Sequence, residues 1–420
     1  MRVRIDYGST GLEVELPDDR TTVVEPMQQP AAASPQDLLV EALRKPVAGP
    51  PLREFVHPGR SVAISVCDIT RPQPRQLMVE AILDELKGIV APTNVSVLIA
   101  TGTHRASSQS ELLAMLGPRV LQSCRIVDHQ ARDRATLTDL GMVGDVPVWL
   151  NSRWVDADVR ITTGFVEPHF FAGFSGGPKM VAPGLAGLQT TLVLHDAARI
   201  GDPRATWGIC EGNPVHDDVR AIAAATGVDY AMDVLLNGDQ AITRAFGGAI
   251  LEMHLAARTI AKAEAMRAVD GRFDIVVTSN SGYPLDQNLY QSMKGVSAAA
   301  EIVRDGGTIV CAAECRDGIP DHGRYADILA SADSPAALLE SIAASPETIP
   351  DQWQVQIQAR VQQRARLLFH SDGLSDEQIR AAHLEPIDDV SKTVAELVHE
   401  QLDARIAVLP RGPQTIAYVA

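Results

Sequence analysis

Ser61-Val-Ala-Ile-Ser-Val-Cys67, followed directly by Asp68-Ile-Thr-Arg71-Pro72 and then by the helical pattern of 76–86, is the stretch on which the fold turns. The first segment is short, β-branched and without polar alternation, so it reads as a strand buried on both faces, as in a parallel sheet. Outward from it, 94–100 is expected to be a second strand, 108–116 a second helix and 125–128 a third, short strand. This rhythm implies a parallel sheet covered by helices. Further strands are expected at 159–163 and 231–236, and a helix over 249–269. The pattern restarts at Asp274-Ile-Val-Val-Thr-Ser279, with a helix near 288–303 and a strand at 308–313. Asp270-Gly271 closes the preceding helix, so a boundary is expected near 268–273, dividing the chain into α/β domains 1–270 and 271–420. The last hundred residues read as mainly helical, ending in a strand at 415–419, and the Pro- and Ala-rich segment 26–51 is expected to wrap the surface.

The composition agrees. Of 420 residues, 45% are hydrophobic and 21% charged, enough to bury large cores and too apolar for a disordered chain. Lys plus Arg is 37 against 53 Asp plus Glu, a net charge of −16, which argues against a nucleic-acid binder that works by neutralising phosphates. No apolar run reaches ~18 residues, so no membrane span is expected. Met1 to Arg4 and the residues after them lack a signal-peptide apolar region. Five cysteines, at 67, 124, 210, 311 and 315, are few and odd in number, which fits no disulfide framework and a reducing cytoplasm, the expected location.

Ligand clefts of such sheets lie at the carboxyl ends of the strands, and there the polar residues collect. Asp68-Ile-Thr-Arg71-Pro72, Thr101-Gly-Thr-His104-Arg105, Gly164-Phe-Val-Glu-Pro-His169 and Ser279-Asn-Ser-Gly-Tyr-Pro-Leu-Asp286 each follow a strand. Asp68 or Thr70 is either an ordinary helix cap or part of an anion site with Arg71. Gly173-Phe-Ser-Gly176-Gly177-Pro-Lys179 is not a P-loop, because the lysine follows proline and no Ser or Thr comes next. Its glycines let a flat ligand approach the backbone beside an amine, or they simply make a turn. His104, His169 and His195 have no local metal spacing with one another. Cys311 and Cys315 read as core residues, and His129, His216 and Lys262 as structural, with His322 and Arg324 open as pocket-rim candidates. Gln287, Gln291 and Lys294 share one helix face, suited to a carboxylate or merely exposed.

Together with Glu211-Gly-Asn-Pro-Val-His216 and the block 282–295, these segments closely resemble the lactate racemase family of nickel-pincer-nucleotide enzymes, in the family's order, from about 60 to 315. The resemblance implies two α/β domains with mostly parallel, helix-covered sheets and the active site in the cleft between them. The N-terminal domain would carry the cofactor and acid/base residues, and the C-terminal one would contribute substrate-binding residues. It implies a pyridinium-3,5-dithiocarboxylate mononucleotide nickel cofactor attached covalently at Lys179, with His195 as nickel ligand. His104 and His169 match the acid/base pair. Asp68, Thr70, Arg71, Gly176 and Gly177 fall where the cofactor would bind, and Arg71, Gln291, Lys294 and Tyr290 where the substrate would. Trp353 is the one late candidate for a tryptophan found in some members. Accessory enzymes that build the cofactor are the implied partners, beside a small 2-hydroxy acid.

The implied chemistry suits these residue types. The α-hydrogen of a 2-hydroxy carboxylate is barely acidic, and no trio of metal-binding carboxylates is evident to help remove it as a proton. Leaving as hydride, it needs an acceptor, plus a base for the hydroxyl proton, for which imidazole is suited. The expected function is therefore racemisation or epimerisation of a lactate-like 2-hydroxy acid by reversible hydride transfer. The competing readings are an NAD-dependent 2-hydroxyacid oxidoreductase, weakened because no G-x-G-x-x-G follows the first strand, and a non-catalytic binder of the nickel-pincer nucleotide.

Overall fold

The computed structural model describes residues 1–320 and 323–420; His322 lies outside the described residues. The chain forms two compact units. The first comprises Gln28–His195 and Arg204–Glu264, and the second Met1–Met27, Asp196–Pro203 and Ala265–Ala420. The principal crossing, at Glu264, falls close to the expected boundary. Met1–Met27 and Asp196–Pro203, however, belong with the C-terminal unit, so a single cut at 270 does not describe the chain.

In the first unit the strands are β1 (Val62–Cys67), β2 (Val95–Ala100), β3 (Arg125–Asp128), β4 (Val159–Phe165), β5 (Tyr230–Leu236) and β6 (Ile242–Gly248). They lie in the order β6-β5-β4-β1-β2-β3. Every pairing is parallel except β5 with β6. The helices are α1 (Pro35–Arg44), α2 (Arg75–Leu86), α3 (Gln109–Ser123), α4 (Leu188–Leu194), α5 (Pro214–Thr226) and α6 (Ile250–Ala265). All six residues of β1 are buried, which is why its sequence shows no alternation. Met78 and Ile82 of α2, Leu112 and Leu116 of α3, and Leu39 and Leu43 of α1 share one core with Ile64, Val66, Val97 and Ile99. Each such side chain contributes ~1.5–3 kcal/mol by leaving water.

Several elements differ from expectation. The 26–51 segment holds α1, started by Ser34, whose hydroxyl accepts from the Asp37 amide, and by Pro35 in the first turn. Its Ala42 carbonyl accepts from the buried Tyr230 hydroxyl at 2.6 Å. The segment thus covers the sheet, and its buried stripe was masked by the flanking prolines. Helix α3 opens with a capping box, Ser108 with Glu111, and runs on past a break at Gly117-Pro118. The helix expected over 249–269 stops at Ala265, and Met266–Val269 pairs in parallel with Ile416–Val419.

The second unit has β7 (Phe273–Ser279), β8 (Val303–Ala312), β9 (Arg366–His370), β10 (Glu385–Pro386) and β11 (Ile406–Leu409). With the N-terminal strand Thr21–Val23 they form a six-stranded sheet, ordered β10-β9-β8-β7-β11 and then Thr21–Val23, parallel throughout. Thus β9 and β11 sit inside a region that reads as mainly helical. Helices α7 (Leu289–Ala300) and α8 (Gln352–Gln362) belong to this unit. No described helix is long and apolar enough to cross a membrane.

Candidate active site

In the first unit the chain runs β1, β2, β3 outward and then returns to the other side of β1 as β4. Such a reversal opens a crevice at the carboxyl ends of the two central strands. The loops after β1, β2 and β4 carry Asp68, His104 and His169.

The loop after β1 is shaped by buried groups that the sequence did not single out. Arg75, at the start of α2, gives its guanidinium to the carbonyls of Cys67 at 2.7 Å and Gln73 at 3.1 Å, and also to those of Asp68 and Arg71. Gln73 accepts from the Cys67 amide at 2.7 Å and donates to the Thr163 hydroxyl on β4 at 2.9 Å. The loop is therefore held to both central strands. Asp68 is buried; it accepts from Thr70 Oγ1 at 2.6 Å, and His104 Nδ1 lies 2.6 Å from its other oxygen. Burial alone would raise the Asp68 carboxyl, but His104, Thr70 and the nearby Arg71 guanidinium outweigh it and hold it below its usual range. Arg71 Nη1 stands 3.9 Å from the Glu167 carboxylate.

The two histidines are held in different ways. The carboxylate fixes the His104 proton on Nδ1 and leaves the lone pair on Nε2, the arrangement of a base. His169 is buried, and its Nδ1 accepts from the amides of Phe171 at 3.5 Å and Ala172 at 3.3 Å. Those contacts put the His169 proton on Nε2, the arrangement of a donor.

The glycine-rich segment runs beneath. Ser175 ties it to the end of β4, donating to Phe165 O at 2.9 Å and accepting from the Glu167 amide at 3.0 Å. Lys179 sits on a short turn, Gly177–Met180, with Nζ 5.3 Å from the centre of the Phe171 ring. The same ring meets His169 edge to face at 4.5 Å and His195 at 5.1 Å. Phe171 is thus common to three of the candidate residues. His195 caps the C-terminus of α4, and its Nδ1 donates to Thr191 O at 2.7 Å. That bond directs the Nε2 lone pair outward, as in metal-binding histidines whose other nitrogen is held by a carbonyl. An amine, an oriented imidazole and two flanking glycines fit a planar metallated ligand.

Lys294, Gln291 and Tyr290 belong to the second unit, on α7. Lys294 Nζ donates to Gln291 Oε1 at 2.5 Å, so these two share a face of α7, whereas Gln287 precedes the Asn288 cap and lies outside the helix. Asn288 caps the helix through the Gln291 amide at 3.0 Å. Gly295 lets α7 lie hard against the end of β7, since a Cβ there would stand 2.1 Å from Ser279 O. The Tyr290 hydroxyl accepts from Trp353 Nε1 on α8 at 3.0 Å. Of the residues taken as structural, His129 and His216 are buried and Lys262 is exposed; His129 Nε2 donates to Ala186 O at 2.8 Å, and burial pushes this imidazole down to about 4. Cys311 and Cys315 are buried free thiols, and Arg324 is exposed. Among the described residues no three His, Cys, Asp or Glu converge as a metal site.

Family models described as the lactate racemase N-terminal domain and the lactate racemase C-terminal domain match residues 7–208 and 269–417. The chain is 33% identical to the lactate racemase of Thermoanaerobacterium thermosaccharolyticum, over 99% of this chain and 98% of that protein. It is 33% identical to the lactate racemase of Lactiplantibacillus plantarum over 90% of each. The solved apoprotein structure of the Thermoanaerobacterium thermosaccharolyticum enzyme superposes with a TM-score of 0.92 at 31% identity, covering 99% of this chain and all of that one. A Thermotoga maritima protein with a TM-score of 0.70 at 16% identity, covering 93% of this chain and 100% of its own, shares the fold alone.

Proposed function

This chain belongs to the lactate racemase family and is an isomerase, and on that premise we propose that it interconverts the enantiomers or epimers of a lactate-like 2-hydroxy carboxylic acid. The observation that carries the reading is the opposed hydrogen bonding of the two Nδ1 atoms, facing a carboxylate in His104 and accepting from backbone amides in His169, which suits one ring to offer a lone pair at Nε2 and the other a proton. A racemase needs both at once. His104 Nε2 takes the hydroxyl proton of one enantiomer, and the Asp68 carboxylate at 2.6 Å stabilises the imidazolium that results. His169 serves the other face of the planar 2-keto acid and returns a proton to its oxygen. In the reverse direction the two exchange roles.

Lys179 is the proposed tether and His195 the proposed metal ligand of a nickel-pincer nucleotide, with Asp68, Thr70, Arg71, Gly176 and Gly177 bordering it. When bound, that group supplies the acceptor and donor of the α-hydride. Arg71 is proposed to hold the substrate carboxylate in a bidentate fashion, and Lys294, with Gln291 and Tyr290 beside it, as a point charge. Enzymes that build the cofactor are the proposed partners.

The test uses protein from a host with the cofactor-building enzymes and from one without them. Loaded protein should move deuterium from the α-carbon of one enantiomer to the other without added NAD, and nickel-free protein should be folded and inactive. Full racemisation by the nickel-free chain would end the cofactor assignment. A panel of single-enantiomer 2-hydroxy acids then names the substrate.

A further inference from the structure

Beneath the turn that carries Lys179 lies a carboxyl group with no ionic partner among the described residues. Asp233, on β5, is fully buried, and its Oδ2 accepts from the Gly177 amide at 2.7 Å. The turn is built around it: a Cβ on Gly176 would stand 2.6 Å from Oδ2, and one on Gly164, opposite Asp233 in β4, 2.8 Å from Oδ1. Oδ1 makes no hydrogen bond of normal geometry among the described residues. Across Gly177 stands the His254 ring of α6, which a Cβ there would meet at 2.6 Å and whose Nε2 bonds the Ser175 carbonyl at 2.9 Å. The backbone on the N-terminal side of Lys179 is thus gripped from two sides by buried polar side chains.

The groups facing Asp233 carry no charge near neutral pH, Lys179 on the turn itself excepted. The Cys67 thiol on β1 is pushed up to about 12 by burial. His254 is pushed down to about 4 by burial, and His216 of α5, stacked on it at 5.7 Å, to about 3 by burial and by His254. The residue paired with Asp233 in β6 is Phe246. A buried carboxylate without an ionic partner is costly, and replacing it by an apolar residue would ordinarily stabilise a fold. Burial pushes Asp233 up to about 7, so it exchanges its proton in the neutral range.

We propose that Asp233 is a positioning residue for Lys179: as a carboxylate it clamps the Gly176–Gly177 turn through the Gly177 amide, and on taking up a proton it loosens that clamp. The meaning of the clamp for catalysis rests on the proposed role of Lys179 as tether, but the clamp itself is a property of the chain alone. It makes cofactor attachment and retention depend on pH through a residue that touches neither cofactor nor substrate.

The test uses the full-length, cofactor-free protein, so it stands or falls separately from the racemase reading. Brief acetylation with an N-hydroxysuccinimide ester is carried out from pH 6 to 8.5, and the labelling of Lys179 relative to exposed Lys262 is read by peptide mass spectrometry. In the wild type this ratio should rise about tenfold or more toward acid, stepping near neutrality, because a hydrogen bond to a charged group is weakened. Asp233→Asn, which keeps an acceptor oxygen but cannot titrate, should abolish the step. A flat wild-type ratio, or a step that survives in Asp233→Asn, overturns the proposal. Should that variant not fold, hydrogen exchange of the wild-type Gly177 amide decides. Corrected for intrinsic chemistry, it should speed up below pH 7, and unchanged protection there overturns the proposal equally.

Discussion

His104 Nδ1 and Asp68 Oδ2 lie 2.6 Å apart, joining the loops after two neighbouring parallel strands. In the proposed mechanism the pair would make His104 a directed base, because the carboxylate would both select the tautomer and stabilise the imidazolium formed in the reaction. Asp68→Asn should keep the fold and lower kcat about ten- to a hundredfold, since a hydrogen bond to a charged group contributes ~1.5–3 kcal/mol. Steady-state kinetics of the loaded enzyme in both directions checks this, and an unchanged kcat would remove Asp68 from the mechanism.

The same substitution has a signature in stability. The Asp68 carboxyl is lowered in the fold, so its stabilising contribution is present above its unfolded value of ~3.9 and is lost as pH falls through the folded one. Urea midpoints between pH 6 and 2.5 should therefore fall less steeply at the acid end in Asp68→Asn than in the wild type.

His104→Ala and His169→Ala should each stop racemisation in both directions, because in the proposed mechanism every turnover uses both rings. Their half-reactions should differ, with one variant still passing hydride from one enantiomer and the other only from its mirror image. Both should retain nickel, and His195→Ala should hold it poorly. Rapid mixing of each loaded variant with pure enantiomers, alongside metal analysis, checks the division. Loss of the same half-reaction in the two acid/base variants, or full nickel in His195→Ala, would refute it.

Arg71→Ala and Lys294→Ala should each lower kcat/KM about ten- to a hundredfold, the size expected for one charge-assisted contact to a carboxylate. Unchanged kinetics in both would mean that neither side chain meets the substrate.

Buried titratable groups set the acid limit of the cofactor-free protein. Burial holds His129 and His254 at about 4 and His216 at about 3, so all three stay neutral in the fold and take up protons on unfolding below ~6.5. Asp233, pushed up to about 7, gives one proton back on unfolding in the same range. The unfolded chain therefore binds about two more protons, and stability should fall on the order of 2 kcal/mol per pH unit between pH 6 and 4.5. Denaturant titrations across that range measure the slope, and a flat profile would show that these side chains are not sequestered.

Local pattern alone was enough to identify the parallel strands β1, β2, β4 and β7, to place Asp68, His104 and His169 at or near strand ends and to put Lys294 on the helix after β7, because burial on both faces leaves an unbroken apolar run and turns gather polar residues. The family blocks added roles for Lys179 and His195. Pattern missed α1 in 26–51, where prolines hide its stripe, and missed β9 and β11 in the last hundred residues, which are mainly helical as read and end in the expected strand, because those two strands are too short to stand out among helices. What only the tertiary structure decided is which groups meet. Asp68 finds His104 across 36 positions, Gln73 finds Thr163 across 90 and Gly177 finds Asp233 across 56. Those meetings fix the hydrogen bonding of His104 and the shape of the Lys179 turn, whereas His169 is oriented by the amides of Phe171 and Ala172 just along the chain. They follow from strand order and from exclusion of water, and periodicity, which is a property of neighbours along the chain, carries neither.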